Sequence, residues 1–324
     1  MLNRRNFLHG SAGFLAGAAA AGFGPGTNRL PWETSCAAAS GSDGLTFTTH
    51  PKKAVLGVLP NAEAIAQMKA CGLDGMEIRG EVTLADAAAA RKIADGQGFC
   101  FHSVMGGGSV ERLQLASELG AGCVLLVPGR VSGVKMPQPW EFKIRFDEKT
   151  NRLLEVVEGD NSPFADYISA HNAQMELARK KVEDLLPTAE KLGIVIGLEN
   201  VWNSMWVHPA FAANFIKSFD SPFVQAYFDV GNNVKYWPHP EDWFDFLKGQ
   251  IIRVHIKDYL LEPDGRSGHF ARVMEGSVNW LAVRKKMEET GFNHWVTVEL
   301  EGCPLTIEEQ ARRMTLILEG KPLS

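Results

Sequence analysis

Cysteine is scarce and unorganised in this sequence. Cys36, Cys71, Cys100, Cys123 and Cys303 are scattered and odd in number, with no C-x-x-C pair, which removes a cysteine-built structural zinc or a redox motif from consideration. The four outside the N-terminal segment read as small buried apolar side chains. A basic face is missing as well. The 33 Lys and Arg are mixed with 38 Asp and Glu for a formal net charge of -5, without the cationic stripe whose counterion release drives binding to phosphate backbones, so nucleic acid is not an expected partner. The excess carboxylates suit a cation instead. Nor is there a strong membrane span: the apolar stretch from Gly13 to Gly24 is short and weakly hydrophobic. What the chain does have is apolar material, 45% of 324 residues, enough to bury a large core in one domain.

Asn3-Arg4-Arg5-Asn6-Phe7-Leu8 precedes that Ala- and Gly-rich stretch, in the order of charge, apolar segment and small residues found in signal peptides. The paired arginines followed by Phe7 and Leu8 resemble a twin-arginine export signal, with Asn3 where serine or threonine is usual and His9 where lysine is frequent. Residues 25–45, rich in Gly, Pro, Ser and Ala without periodicity, read as a linker. The resemblance implies a signal peptide and linker over residues 1–45. It also implies passage of the folded protein through the twin-arginine export machinery to the periplasm, with the leader either cleaved or kept as a membrane anchor.

From residue 52 onward, short apolar runs alternate with helical patterns, the appearance of repeated βα units. The strands are expected at 54–59, 75–79, 99–104, 123–127, 194–198, 224–228, 251–256 and 295–300. Eight such strands close a barrel, and their nearly continuous apolar character fits a parallel sheet covered on both faces. The fold class is therefore α/β, a (β/α)8 TIM barrel over residues 46–324. Met175, Ala178, Val182, Leu185, Ala189 and Leu192 form one helical stripe ending at Gly193, with Pro187 expected to kink it. Ser277 is expected to cap a helix running towards Gly291, and Pro304 to sit in the first turn of the last helix. Residues 129–169, after the fourth strand, exceed an ordinary connection. Phe142, Ile144 and Phe146 alternate there, turn residues follow, and Leu153 to Val157 reads as the return of a β-hairpin insertion on the catalytic face. That hairpin suits either a roof over the pocket or a contact in a homo-oligomer.

C-terminal strand ends converge on a barrel's mouth, and here they carry polar residues repeatedly: Glu77 and Arg79, His102, Glu199 and Asn200, Asp229, His255 with Lys257 and Asp258, then Glu299 and Glu301. Three carboxylates and one imidazole make a donor set for one divalent cation, Mn²⁺ first, with Mg²⁺, Co²⁺ and Zn²⁺ behind it. Lys257 shares the strand parity of His255 and suits either a substrate oxygen or an ion pair with Glu299. Glu77, Arg79 and His102 suit substrate contact or internal pairing. Trp202, Trp206 and Trp237 offer indole faces for a sugar ring.

The runs Gly197-Leu198-Glu199-Asn200, Phe228-Asp229-Val230-Gly231-Asn232, Val254-His255-Ile256-Lys257-Asp258, Gly276-Ser277-Val278-Asn279-Trp280 and Val298-Glu299 resemble, in order, the motifs of the sugar phosphate isomerase/epimerase group of xylose isomerase-like barrels. The resemblance spans roughly residues 52–320. It implies that Glu199, Asp229, His255 and Glu299 hold the metal and that Glu199 and Glu299 are also the catalytic acid/base pair. His102, Lys257, Glu77, Trp202 and Asn232 are the expected substrate-binding residues. Glu301 shares the parity of Glu299 and competes with it for assignment. A cation on a ketone oxygen and its neighbouring hydroxyl stabilises the enediolate left by proton removal, and two carboxylates can then complete an epimerisation or an aldose-ketose isomerisation.

Two departures bear on the substrate. Ketose 3-epimerases of this group usually have a histidine where Asn232 stands and an arginine after the seventh strand that has no counterpart here. With no phosphate cradle in the sequence, the expected substrate is an unphosphorylated sugar or keto-sugar. A lyase or dehydratase acting beside a ketone, as in inosose dehydratase-like relatives, shares the first proton abstraction, and a non-catalytic exported sugar-binding barrel is the third reading. The three-zinc apurinic endonucleases of the superfamily need additional histidines where Pro128 and Asn232 stand.

Overall fold

The computed structural model describes residues 46–300 and 304–323. The leader and linker, Cys36, Glu301 and Cys303 lie outside the described residues.

Eight parallel strands close a barrel: β1 (Lys52–Gly57), β2 (Gly75–Ile78), β3 (Cys100–Met105), β4 (Cys123–Leu126), β7 (Val195–Glu199), β8 (Val224–Asp229), β9 (Ile251–Ile256) and β12 (Trp295–Val298). Around the barrel the order is β1-β12-β9-β8-β7-β4-β3-β2. All eight coincide with the apolar runs of the sequence. The helices that cover them are α1 (Ala62–Ala70), α2 (Leu84–Gly96), α3 (Val110–Leu119), α4 (Ala165–Leu192), α5 (Pro209–Lys217), α6 (Trp243–Phe246), α7 (Trp280–Thr290) and α8 (Ile307–Glu319). Among the described residues, none is long and apolar enough to cross a membrane.

Local chemistry sets these boundaries. Asn61, Thr83 and Thr306 accept hydrogen bonds from the backbone three residues on and start α1, α2 and α8. In α4 the stripe Met175, Ala178, Val182, Leu185 and Ala189 is buried, and Gly193 ends the helix at φ 70°. Two capping expectations are corrected. Asn279, not Ser277, caps α7 by accepting from the Ala282 N–H at 3.0 Å, while Ser277 Oγ accepts from Leu261 N–H. Pro304 precedes α8 instead of entering its first turn, because Thr306 takes the cap. Pro187 does not interrupt α4, which runs without a break from residue 165 to 192.

Two antiparallel ribbons stand on the mouth side. β5 (Arg145–Asp147) pairs with β6 (Arg152–Glu155), and the Asn172 side chain of α4 binds both the N–H and the carbonyl of Leu153, at 2.7 and 3.0 Å. Phe146 packs edge-on against Phe211 of α5, and Phe142 against Tyr167 and Tyr236. The second ribbon, β10 (Asp258–Leu261) with β11 (Gly268–Ala271), follows β9 directly and has no counterpart in the sequence reading.

Candidate metal and active site

Four consecutive strands of the barrel deliver the cluster. Glu299 follows β12, His255 stands near the end of β9, and Asp229 and Glu199 close β8 and β7. One ligand atom from each lies within 4.8 Å of all the others. Glu199, Asp229 and His255 are buried, and Glu299 keeps 16% of its side chain exposed.

Neighbouring groups fix each side chain. The Asn200 amide clamps Asp229 across the β7–β8 ladder, its Nδ2 donating to the Asp229 carbonyl and its Oδ1 accepting the Asp229 N–H, both at 2.8 Å. Asp229 Oδ1 accepts from the N–H groups of Gly231 and Asn232 at 2.9 and 2.7 Å. A side chain at Gly231 would press its Cβ to 2.6 Å from the Lys257 carbonyl oxygen, so the turn requires glycine. Asp229 Oδ2, by contrast, is buried and receives no hydrogen bond among the described residues.

The imidazole of His255 lies between two sets of carboxylates. Nε2 meets Glu77 Oε2 at 2.6 Å; Nδ1 faces Glu299 Oε2 at 3.0 Å, Glu199 Oε1 at 3.1 Å and Asp229 Oδ2 at 3.9 Å. One ring nitrogen carries one proton or one lone pair, so it cannot satisfy three carboxylates by hydrogen bonding. A divalent cation can accept the Nδ1 lone pair and the carboxylate oxygens together, and the spare lone pairs of Asp229 Oδ2 fit the same demand. Nε2–H donated to Glu77 is the outer partner that metal-binding histidines usually have.

With no ion among them, these groups shift one another's protonation. Burial pushes Glu199 upward and Asp229 up to about 8. Burial alone would lower His255, but Tyr227, Glu77 and Glu299 outweigh it and raise the imidazole well above its usual range. Burial would raise Glu299, but His255 and Lys257 prevail and hold it well below the carboxylate range.

Of the residues expected to bind substrate, Glu77 and His102 make internal contacts, the alternative that the sequence left open. Glu77 does not face the mouth: it is fully buried beneath His255, accepting from Tyr227 O–H at 2.8 Å and Ser103 O–H at 3.1 Å. His102 is buried in the barrel interior, where Nδ1 accepts from Arg253 Nε at 3.1 Å, Nε2 meets Thr297 Oγ1 at 2.9 Å and the ring stacks on Trp295 at 4.6 Å. Burial, then Arg253 and His255, lower its pKa far enough to keep it neutral. Glu77 thus touches His255 from within, and the polar atoms of His102 are taken up by Arg253 and Thr297. Arg79 is exposed.

Lys257 and Asn232 are at the cluster. Lys257 Nζ lies 3.2 Å from Glu299 Oε2, 3.8 Å from Asp229 Oδ2 and 3.4 Å from Asn232 Oδ1. Trp202 donates its indole N–H to the Asn232 carbonyl, stacks on Phe270 of β11 at 4.7 Å and meets Tyr259 edge-on at 5.7 Å. Trp206 is buried in the core, and Trp237 packs on His208 while donating to Asp242.

Asp258 explains why two distant sequence runs belong together. Its buried carboxylate accepts from the N–H groups of Tyr259, Met274, Gly276 and Val278 and from the Trp280 indole, at 2.9 to 3.3 Å. Any side chain on Gly276 would collide with that carboxylate. The residues from Gly276 to Trp280 are thereby tied to the strand end that carries His255 and Lys257. Sequence reasoning passed over Tyr227 and Ser103; the signal for Tyr227 was its position two residues before Asp229, on the same face of the strand.

A closed parallel barrel with carboxylates and an imidazole gathered at consecutive strand ends defines a class, the TIM barrels whose mouth carries a donor set that could hold a cation. The chain belongs to the xylose isomerase-like TIM barrel family, whose model matches residues 65–317. It is 27% identical over 124 residues to an uncharacterized protein of Methanocaldococcus jannaschii, a match covering 36% of this chain and only 41% of that protein. Among solved structures, the fold is similar to that of 3-keto-D-glucoside 4-epimerase from E. coli, with a TM-score of 0.60, 14% identity and 83% and 99% of the two chains covered. It is also similar to a xylose isomerase-like TIM barrel protein from Mycobacterium smegmatis in complex with magnesium, with a TM-score of 0.56, 20% identity and 84% and 96% covered.

Proposed function

We propose that this protein is a divalent-cation-dependent epimerase or isomerase of an unphosphorylated sugar or keto-sugar, with Glu199 and Glu299 moving a carbon-bound proton. One observation carries the reading: Glu299, His255, Asp229 and Glu199 follow one another on four adjacent strands, so the two glutamates stand at opposite ends of the row. Glu199, Asp229, His255 and Glu299 would hold the cation, Mn²⁺ being the first expectation. When bound, it supplies positive charge to a carbonyl oxygen and so acidifies the neighbouring C–H.

The side chains divide the remaining work. Burial raises Glu199, while His255 and Lys257 hold Glu299 low. A proton removed by one glutamate and returned by the other to the opposite face inverts the carbon; returned to the adjacent carbon, it converts ketose to aldose. The similar barrels support the reading in kind, one being named for a keto-glucoside epimerisation and another solved with magnesium.

Incubating the Mn²⁺-loaded protein in deuterated water with a panel of ketoses and keto-glycosides tests it. Solvent label entering product without mass loss is expected, and Glu199→Gln and Glu299→Gln should each lower the rate by ~10²–10⁴-fold. Loss of water or aglycone would reassign the protein as a lyase, and no label in any substrate would sink both readings. Export to the periplasm by the twin-arginine route is part of the same proposal. Replacing Arg4 and Arg5 with lysine should then leave the protein in the cytoplasmic fraction, and unchanged fractionation would remove that part alone.

A further inference from the structure

We propose that Lys235 forms an anion-accepting subsite beside the cation cluster, so that the substrate is a sugar bearing a carboxylate away from its reacting carbons. Lys235 lies in the connection after β8, at the mouth. Its ammonium stands 3.4 Å from the centre of the Trp202 ring and 4.9 Å from that of Tyr236. Trp202 stacks on Phe270, and Phe270 lies 5.0 Å from Lys257 Nζ. Two ammonium groups thus flank one aromatic pair, but their surroundings differ. Lys257 is balanced by Glu299 at 3.2 Å. Lys235 is half-buried against aromatic faces, and no acidic side chain among the described residues acts on it.

A ring face compensates an ammonium only weakly, and burial accordingly draws the Lys235 pKa down to about 8. That leaves a cation, mostly protonated at neutral pH, with donor hydrogens for a ligand and partial shelter from water. A carboxylate placed there gains a charge-assisted hydrogen bond that a hydroxyl cannot match. Trp202 is tied to Asn232, whose side chain meets Lys257, so the subsite connects to the cluster through Trp202 and Asn232. The inference rests on the proposed sugar chemistry only in placing the reacting carbons between Glu199 and Glu299.

The test is isothermal titration calorimetry on the Mn²⁺-loaded protein with D-fructose, D-fructuronate and D-fructose 6-phosphate, for the native chain, Lys235→Met and Lys235→Arg. Fructuronate should bind about tenfold or more tightly than fructose. Lys235→Met, with an unchanged melting temperature, should erase that difference and leave fructose as it was, while Lys235→Arg should retain it. Equal affinity of the native protein for fructose and fructuronate overturns the proposal, as does an equal loss of both in Lys235→Met or no binding by any of the three. A preference for the phosphate ester over fructuronate overturns the carboxylate assignment and identifies the anion as phosphate. Solvent-proton exchange on the same samples separates the two ideas: its absence, with the anion preference intact, removes the proposed reaction and leaves the subsite standing.

Discussion

The half of the barrel built from β1 to β4 and the half built from β7, β8, β9 and β12 differ in what they contribute. The second half provides every residue of the proposed cation cluster, together with Lys257, Asn232 and Asp258. The first half sends polar side chains inward instead. Glu77 and Ser103 meet beneath His255, and His102 meets Arg253 deeper in the interior. At its rim it exposes apolar residues, Val58 at 65% and Val127 at 40%. The contrast separates holding a ligand from orienting the groups that hold it. A ligand-bearing half needs carboxylates with unsatisfied lone pairs, and an orienting half needs polar groups whose partners are already complete.

The sharpest test of the second half is Asp258→Ala. It would strip one acceptor from four backbone N–H groups and the Trp280 indole, and stability in chemical denaturation should fall by about 1–3 kcal/mol for each buried donor left unpaired. Next is Asp229→Asn, which removes a ligand. Divalent-ion affinity measured by calorimetry should fall beyond the ~10–100-fold that loss of a supporting partner causes. Glu77→Gln, in the first half, should stay within that ~10–100-fold range. If the Glu77 variant matched the Asp229 variant, the division between holding and orienting would not survive.

A smaller effect is expected from pH. Folding lifts Asp229 from an ordinary 3.8 to about 8, so the folded chain keeps a proton that the unfolded chain loses. Its contribution to stability is present in acid and disappears as pH rises through about 8. His255, also raised, acts in the same direction, while Glu299 is lowered and loses its contribution only in acid. A cation takes the place of those protons. The rise in melting temperature produced by Mn²⁺ should therefore be larger near pH 8.5 than near pH 5.5. Equal shifts at both would mean that Asp229 and His255 do not lose protons to the ion.

The sequence made the second half more legible than the first. Each ligand ends or follows an apolar run, and polar residues at strand ends point to a barrel's mouth. The same rule made Glu77 and His102 candidates for the pocket, but a place near a strand end does not say how deep a side chain lies. Depth came from partners on other strands, Tyr227 and His255 for Glu77, Arg253 and Thr297 for His102. The ribbon of β10 and β11 was missed because Asp258 to Leu261 merges with the run of β9. Its signal was Glu262-Pro263-Asp264-Gly265, where Gly265 takes φ 67° and donates to the Glu262 carbonyl at 2.8 Å.

The least expected effect is the most exacting for the comparison. Thr83 starts α2 on the outside of the first half, accepting from the Asp86 N–H at 3.1 Å and donating to the Asp86 carboxylate at 2.7 Å. Thr83→Ala should cost about 1 kcal/mol of stability. It should leave ion affinity and proton exchange at their native values, because α2 supplies no side chain to the cluster or to Glu77. A matching loss of ion affinity would show that the first half transmits helix stability to His255 through β2 and Glu77. The orienting role would then belong to that whole half of the barrel, and not to the few side chains beneath the imidazole.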